Sequence, residues 1–179
     1  MNILFTNIGR RNYLVEFAKS IIGTKIFVSD SDQYASAVLE EDITYIQTPW
    51  VSINPKSYLE FLLGKCLMHK IDLIIPLMDF ELPILSLNKE KFKSNGILIC
   101  ISDNFLVENT LNKIKTYNQF SKFINIPKVF EKIECAPSSR KLIKKKIMGS
   151  GSFGMEICND KNSIINFSEG KDMLQLFIE

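Results

Sequence analysis

A glycine- and serine-rich stretch near the end of this 179-residue chain has the residue types best suited to chemistry. It follows a lysine-rich segment and contains Gly149, Ser150, Gly151, Ser152 and Gly154. Glycine lets backbone N–H groups come close to an anion, and serine hydroxyls add further donors. The stretch therefore predicts a phosphate-binding loop.

Five cations stand just before this loop, at Arg140, Lys141, Lys144, Lys145 and Lys146. Side chains of a strand alternate between two faces, so Lys145 would share an otherwise apolar face with Ile143 and Ile147. A lysine in that position beside a glycine loop is well placed to meet phosphate. Lys144 and Lys146 would point the other way, into solvent. The alternative interpretation is a solvated or nucleic-acid-binding basic run.

A second candidate site follows the first predicted strand, where the chain reads Ile8-Gly9-Arg10-Arg11. Glycine at a strand-to-helix turn permits close approach of a ligand, and the start of the next helix favours anions. We expect Gly9, Arg10 and Arg11 to contact substrate, because α/β proteins bind ligands at the carboxyl ends of their strands. The alternatives are a plain turn with solvated arginines, or a dinucleotide site that uses Asp30 for ribose.

Two carboxylates, Asp79 and Glu81, follow the fourth predicted strand and open a helix. In the structural interpretation, Asp79 caps this helix and Glu81 complements its dipole. In the functional interpretation, Asp79 and Glu81 are substrate-binding residues at the sheet edge that also carries Gly9 and Arg10. Both interpretations remain open at the level of the sequence.

Composition argues against several other classes of protein. A net charge of +2 is too small to indicate nucleic acid or a membrane as the main partner. The chain has a single histidine, His69, and no C-x-x-C pair, so neither a zinc site nor a histidine-based triad is expected. Among the four irregularly spaced cysteines, Cys66 and Cys100 lie in apolar stretches and predict buried, reduced thiols of a cytoplasmic protein.

The elements that must position these residues alternate between strand and helix over the first hundred positions. Short apolar strands are predicted at residues 2–7, 25–29, 43–47, 71–75 and 97–101. Helical periodicity occurs over residues 10–22 and again from Asn54-Pro55 onward. Strands separated by helices predict an α/β fold with an open, Rossmann-like parallel sheet.

The pattern changes after about residue 103. Two short helices are predicted at residues 103–110 and 113–123, followed by short strands at 128–132, 141–147, 153–158 and 173–178 and a helix at 160–167. This is an α+β module rather than a continuation of the parallel sheet. We therefore predict two domains, residues 1–110 and 111–179, the second of which is a small α+β subdomain.

Taken in order, these features resemble the ATP-grasp superfamily, specifically proteins similar to the large subunit of carbamoyl phosphate synthase. The resemblance runs over the whole chain. Five pieces carry it: residues 3–15 with 28–32, residues 72–83, residues 112–117 with Ile126-Pro127, residues 141–154, and residues 175–179. Each piece is moderately specific, and their common order makes the resemblance strong.

The resemblance implies a pre-ATP-grasp domain over residues 1–110 and the first part of an ATP-grasp domain over residues 111–179. Lys113 and Lys145 would contact ATP phosphates, and the Gly149–Gly154 loop would fold over them. The backbone around Gln175, Phe177 and Ile178 would meet adenine. Considered without the resemblance, Lys113 would be an ordinary exposed lysine.

Family members use Mg-ATP to phosphorylate a carboxylate, and an amine or similar nucleophile then attacks the acyl phosphate. The resemblance thus implies ATP, Mg²⁺ and an unidentified carboxylate as ligands. The chain departs from the family at two points. Lys146 stands where the family usually has proline after the strand lysine, and the family's Mg²⁺ ligands lie beyond the position of residue 179.

The leading hypothesis is therefore the ATP-binding part of an ATP-grasp carboxylate ligase that is inactive alone, as a fragment, a truncated reading frame or half of a split enzyme. A non-catalytic nucleotide- or partner-binding domain is the alternative from another class, and an ordinary Rossmann-type domain is the third. We also expect apolar surface near the last strand, which favours self-association or a partner chain.

Overall fold

The computed structural model describes residues 1–21, 23–36, 42–149 and 151–178. The chain divides into two compact units, Met1–Val107 and Glu108–Glu179, which we call unit 1 and unit 2. The division falls inside a helix, α5 (Asn104–Leu111).

Unit 1 contains a five-stranded parallel sheet in the order β3-β2-β1-β4-β5. The strands are β1 (Asn2–Thr6), β2 (Lys25–Asp30), β3 (Thr44–Gln47), β4 (Leu73–Pro76) and β5 (Leu98–Ile99). Both faces of the sheet are covered, which explains the nearly unbroken apolar runs in the sequence. The predicted Rossmann-like parallel sheet is confirmed.

The described residues of unit 1 contain four α-helices that lie wholly within it: α1 (Asn12–Lys19), α2 (Pro55–Met68), α3 (Leu82–Leu87) and α4 (Lys89–Lys93). On one face of the sheet, Leu4 and Phe27 pack with Tyr58 of α2. On the other face, Phe5 packs with Val15 of α1. Helix α2 begins as its sequence predicts, because Pro55 occupies the first turn and the Asn54 side chain accepts a hydrogen bond from Ser57 N.

Unit 2 contains helix α6 (Lys113–Phe120) and an antiparallel sheet in the order β6-β9-β7-β8. Its strands are β6 (Val129–Phe130), β7 (Leu142–Lys146), β8 (Glu156–Cys158) and β9 (Asp172–Leu176). The buried side chains of Phe130, Leu142 and Leu174 form its core with Ala136 and Cys158. This arrangement confirms the predicted change from a parallel sheet to an α+β module.

The helix predicted over residues 160–167 is wrong, because the structure has only a short 3-10 turn there, Lys161–Ser163. The Asp160 carboxylate accepts hydrogen bonds from Asn162 N and Ser163 N. After this turn the backbone becomes extended at Ile164. The hydrogen bonds to Asp160 therefore stabilise a short turn and do not begin a longer helix.

All four cysteines are free thiols. Cys66 is buried as predicted, and burial raises its pKa to about 12. The predicted burial of Cys100 is wrong, because strand β5 ends at Ile99 and leaves Cys100 exposed. Among the described residues, no helix has the length and apolar character needed to cross a membrane.

Candidate functional site

Three lysines and the glycine loop meet in one pocket of unit 2, which we call the lysine pocket. It has a volume of about 220 Å³. It is lined by Lys113, Lys145 and Lys146 with Gly149, Gly151, Ser152, Phe153 and Met155. The loop thus stands beside both lysines that the resemblance assigned to phosphate. Ser150 lies outside the described residues, and residues 151–157, which run from the loop into β8, are exposed to solvent.

Helix α6 brings Lys113 to the lysine pocket as its first residue. The Asn112 side chain caps the helix by accepting hydrogen bonds from Ile114 N and Lys115 N, both at 3.0 Å. The Lys113 backbone N donates to Ile147 O at 3.1 Å, and its Nζ donates to Gly149 O at 2.8 Å. Lys113 is therefore tied to the end of β7 and to the glycine loop at the same time.

Strand β7 carries Lys145 directly opposite Met173 of β9. The Lys145 Nζ donates to Gln175 Oε1 at 2.6 Å, and Gln175 Nε2 in turn contacts Pro127 O at 3.4 Å. The structure thus brings together two residues that were predicted to bind ATP. The Gln175 acceptor is a neutral amide, so this contact brings no counter-charge to Lys145 at the edge of the pocket.

A second pocket of about 260 Å³ adjoins the same lysines. Lys113, Lys145 and Gln175 line it together with Thr110, Thr116, Tyr117, Ile126, Val129 and Met173. Its walls are more apolar than those of the lysine pocket, and Tyr117 supplies an aromatic ring. A cationic pocket next to an apolar one is an arrangement that suits a nucleotide, which has a charged and a flat apolar part.

The predicted solvent exposure of Lys144 is wrong. Its side chain is only 5% exposed, because it shares a strand face with Leu142 of the unit 2 core. The Lys144 Nζ is satisfied by Ile165 O at 2.7 Å and by Glu156 Oε1 at 2.9 Å.

Lys146 is partly exposed, as predicted for its face, but it is ion-paired rather than free in solvent. Its Nζ lies 2.6 Å from Asp172 Oδ1, while its side chain lines the lysine pocket. Neither Lys146 nor Asp172 was predicted as a site residue. The signal was present in the basic run, but only strand pairing identifies Asp172 as the residue opposite Lys146.

The remaining predicted adenine contacts lie apart from the lysine pocket. The Phe177 ring is covered by the Lys141 Nζ, 4.4 Å from its centroid, and Phe177 N donates to Lys141 O. Ile178 is 63% exposed and lines a separate surface depression of about 450 Å³ with Tyr117 and Pro127. Of the three predicted residues, only Gln175 reaches the pockets that contain Lys145.

The five predicted substrate residues all lie in unit 1, and three of them form the turn after β1. Gly9 N donates to Asp30 Oδ2 at 2.8 Å, and Asp32 N donates to Asp30 Oδ1 at 3.0 Å. Arg10 is exposed, whereas Arg11 is partly buried and its Nη1 contacts Asn7 O at 3.4 Å. The Asp30 carboxylate is thus engaged by backbone N–H groups of its own sheet edge, which argues against its use for a ribose.

Glu81 lies inside unit 1 rather than facing a ligand. It is fully buried, and its Oε2 accepts a hydrogen bond from the Tyr58 hydroxyl at 2.5 Å. Its Oε1 accepts from Leu77 N at 3.1 Å and Met78 N at 3.2 Å. The side chain is therefore enclosed rather than open to a substrate. Asp79 is exposed and is the first residue of a 3-10 turn, Asp79–Glu81, rather than its cap.

Burial raises the pKa of Glu81 above that of an ordinary glutamate, although the hydrogen bond from Tyr58 opposes this shift. The folded state therefore binds the proton more tightly than the unfolded chain does. The resulting stabilisation is full below the unfolded pKa of about 4.3 and is lost as the pH rises through the folded pKa. We expect wild-type stability, relative to that of Glu81→Gln, to fall with rising pH above about pH 4 in urea unfolding experiments. A pH-independent difference would contradict this assignment.

Both parts of the chain match known protein families. Residues 3–100 match the family described as PylC-like, N-terminal domain. Residues 110–179 match the ATP-grasp domain. No curated protein matches the chain.

Solved structures with the same fold include three proteins that match almost the whole chain. The L-amino acid ligase from Bacillus licheniformis has a TM-score of 0.73 and 14% identity, covering 99% of this chain and 44% of its own. N5-carboxyaminoimidazole ribonucleotide synthetase from Thermotoga maritima has a TM-score of 0.62 and 15% identity. The match covers 99% of this chain and 46% of that protein.

The third is the biotin carboxylase domain of the Hydrogenobacter thermophilus 2-oxoglutarate carboxylase, in complex with MgADP, ADP and bicarbonate. It has a TM-score of 0.66 and 17% identity, covering 99% of this chain and 44% of that chain. At these identities the likeness shows the fold alone. The chain spans less than half the length of all three proteins.

Proposed function

We propose that this chain, which belongs to the family of the PylC-like N-terminal domain, supplies the phosphate-binding part of an ATP-dependent carboxylate ligase. The observation that carries the proposal is the lysine pocket, where Lys113 and Lys145 reach the glycine loop from two different elements. The match of residues 110–179 to an ATP-grasp domain supports it.

In the proposed reaction, a substrate carboxylate oxygen attacks the γ-phosphorus of ATP, and the bond to the β-phosphate oxygen breaks. ADP leaves, and an amine or similar nucleophile then displaces phosphate from the acyl phosphate. The work of the protein in such a step is to position the groups and to stabilise spreading negative charge. Lys113 and Lys145 supply fixed positive charge for the phosphates, and the loop backbone supplies further donors.

The second pocket is the proposed place for the base of the nucleotide. Tyr117, Ile126 and Met173 give it apolar walls, and Gln175 lies at its edge beside Lys145. A base seated there would place its phosphates toward the lysine pocket, because both pockets share Lys113 and Lys145. Phe177 and Ile178 do not line this pocket, and contact of their backbone with adenine stays a prediction.

The described residues do not fit a magnesium site, since they contain no group of three His, Cys, Asp or Glu side chains placed to hold a metal ion. We therefore assign no step to Mg²⁺ within these residues. The family resemblance puts its ligands beyond the position of residue 179, and this remains a prediction.

The finer assignments are also proposals. Gly9, Arg10, Arg11 and Asp79 remain candidates for recognition of the carboxylate substrate, at the strand ends where α/β sheets bind ligands. The run Asp72–Pro83 supports a closer likeness to the large subunit of carbamoyl phosphate synthase. The free thiols suit a cytoplasmic protein. Exposed Phe123, Ile124 and Ile178 suit self-association or a partner chain.

Calorimetric titration with Mg-ATP tests the proposal. We expect saturable binding by the wild type, weakened roughly 10- to 100-fold in Lys145→Met, because a hydrogen bond to a charged group contributes about 1.5–3 kcal/mol. Lys141→Met is the matched control, since Lys141 is exposed, lies next to β7 and stacks on Phe177 outside the lysine pocket. Equal affinities of wild type and Lys145→Met, or the same loss in Lys141→Met, would refute the proposed site.

A further inference from the structure

We propose that Lys146 and Asp172 form a positioning pair that holds the glycine loop against the end of β7, so that Lys146 acts on the loop rather than on the phosphates. This role extends the proposed function. Only the measurement of ATP affinity depends on the proposed function, whereas the measurement of loop motion does not. The family resemblance does not supply it, because the family usually has proline at the position of Lys146.

The pair is built into the sheet. Lys146 of β7 and Asp172 of β9 stand directly opposite each other, and Lys146 Nζ lies 2.6 Å from Asp172 Oδ1. The Asp172 side chain is 1% exposed, whereas that of Lys146 is 40% exposed and reaches the pocket wall. The other carboxylate oxygen of Asp172, Oδ2, accepts a hydrogen bond from Ser168 N at 2.8 Å. The Asp172 carboxylate is thus buried and held in place, whereas the Lys146 side chain reaches from it to the surface of the pocket.

Burial would raise the pKa of Asp172, but the hydrogen bonds from Lys146 and Ser168 and the charge of Lys146 outweigh it and lower the pKa below its usual value. The Asp172 carboxylate is therefore ionised at neutral pH and forms an ion pair with Lys146. This ion pair restrains the end of the Lys146 side chain.

The Gly154 end of the glycine loop lies against the stem of that side chain, and the Gly149 end lies beside its Cβ. A Cβ built on Gly154 would meet Lys146 Cε at 3.3 Å and Cγ at 3.4 Å, and one on Gly149 would meet Lys146 Cβ at 3.6 Å. Both glycines also have positive φ, at +143° for Gly149 and +71° for Gly154. The backbone at Gly154 therefore lies against the lysine stem whose far end is paired with Asp172, and we infer that this pair restrains the loop at Gly154.

The alternative role for Lys146 is as a third phosphate ligand whose charge Asp172 masks. The two roles predict opposite effects of removing the Asp172 charge. A masked ligand would be released, and ATP would bind more tightly. A positioning pair would lose its anchor, the loop would move more freely, and ATP would bind less tightly.

The test uses a tryptophan reporter at the loop. Phe153 is 85% exposed, so Phe153→Trp in a Trp50→Phe background reports loop motion by fluorescence anisotropy. The variants are Asp172→Asn, which keeps an acceptor for Ser168 N, and Lys146→Met, which keeps an apolar stem. Glu169→Gln is the matched control, because it removes an exposed ion pair with Lys132 elsewhere in unit 2.

Without nucleotide, we expect anisotropy to fall in Asp172→Asn and in Lys146→Met, with no further fall in the double variant and none in Glu169→Gln. Far-UV circular dichroism tests whether each variant is folded. If Asp172→Asn is unfolded, the anisotropy of Lys146→Met tests the positioning role.

With Mg-ATP, we expect about tenfold weaker binding in Asp172→Asn. Unchanged anisotropy in both folded variants, or tighter binding of ATP by Asp172→Asn, would overturn the proposal. If no form binds ATP, the proposed function fails, while anisotropy still decides the positioning role.

Discussion

Replacement of Glu81 by alanine is expected to destabilise unit 1 by about 3–5 kcal/mol, since each unsatisfied buried polar group costs about 1–3 kcal/mol. The carboxylate accepts hydrogen bonds from Tyr58 Oη, Leu77 N and Met78 N, and alanine would leave all three without their acceptor. Burial and the charge of Glu81 also raise the pKa of Tyr58, so this hydroxyl stays protonated and remains a donor.

Urea unfolding followed by tryptophan fluorescence measures this effect, because Trp50, the one tryptophan of the chain, lies in unit 1. Glu81→Gln is the control, since its amide oxygen can still accept the two backbone hydrogen bonds while the buried charge is removed. We expect its cost to be much smaller than that of Glu81→Ala. If Glu81→Ala and Glu81→Gln lowered the free energy of unfolding by the same small amount, the hydrogen-bond network around Glu81 would be contradicted.

Replacement of Leu174 by alanine is expected to destabilise unit 2 by about 2–5 kcal/mol, the usual range for a fully buried leucine. Leu174 is completely buried and lies opposite both Lys144 of β7 and Phe130 of β6. Its loss opens a cavity at the middle of the sheet. Because a small unit has only a few kcal/mol of stability, much of unit 2 would unfold, and the lysine pocket would be lost with it.

Amide hydrogen exchange of strands β7 and β9 measures this loss, since it reports unit 2 separately from unit 1. Ile157→Ala is the matched control, because Ile157 is an aliphatic residue of the same sheet that is 55% exposed. We expect the control to change stability by less than about 0.5 kcal/mol, as is usual for surface substitutions. Protection of β7 and β9 that is the same in both variants would contradict the assignment of Leu174 to the core.

The lysine-rich strand shows where local reasoning succeeds and where it stops. Strand alternation separates Lys145 from Lys144, and in the structure Lys145 lines both pockets with Lys113, although Lys146 also lines the lysine pocket. The phosphate-binding role of Lys145 stays a prediction. The same rule misplaces Lys144, because alternation says which residues share a face but not which face meets the core. Leu142, on the same face as Lys144, packs in the unit 2 core, so this face points inward. The Lys144 Nζ is then within hydrogen-bond distance of Ile165 O and Glu156 Oε1.

Glu81 illustrates the same limit in unit 1. An acidic residue after a strand is compatible with a helix start, a substrate contact or a buried hydrogen-bond acceptor. Only the packing of Tyr58 from α2 against the end of β4 makes Glu81 the last of these. That contact joins residues far apart in the sequence, so no local pattern could reveal it.

The sequence by itself determined the alternation of strands and helices in unit 1, the change from a parallel sheet to an α+β module, and the glycine loop after a lysine strand, but not the 3-10 turn at Lys161–Ser163. These follow from periodicity, apolar runs and glycine content, which act over a few residues. The tertiary structure alone decided that Asp172 stands opposite Lys146, that Gln175 receives Lys145, and that Asp30 bonds to Gly9. Each of these contacts depends on pairing between distant segments, because side-chain partners are set by strand order and register rather than by local sequence.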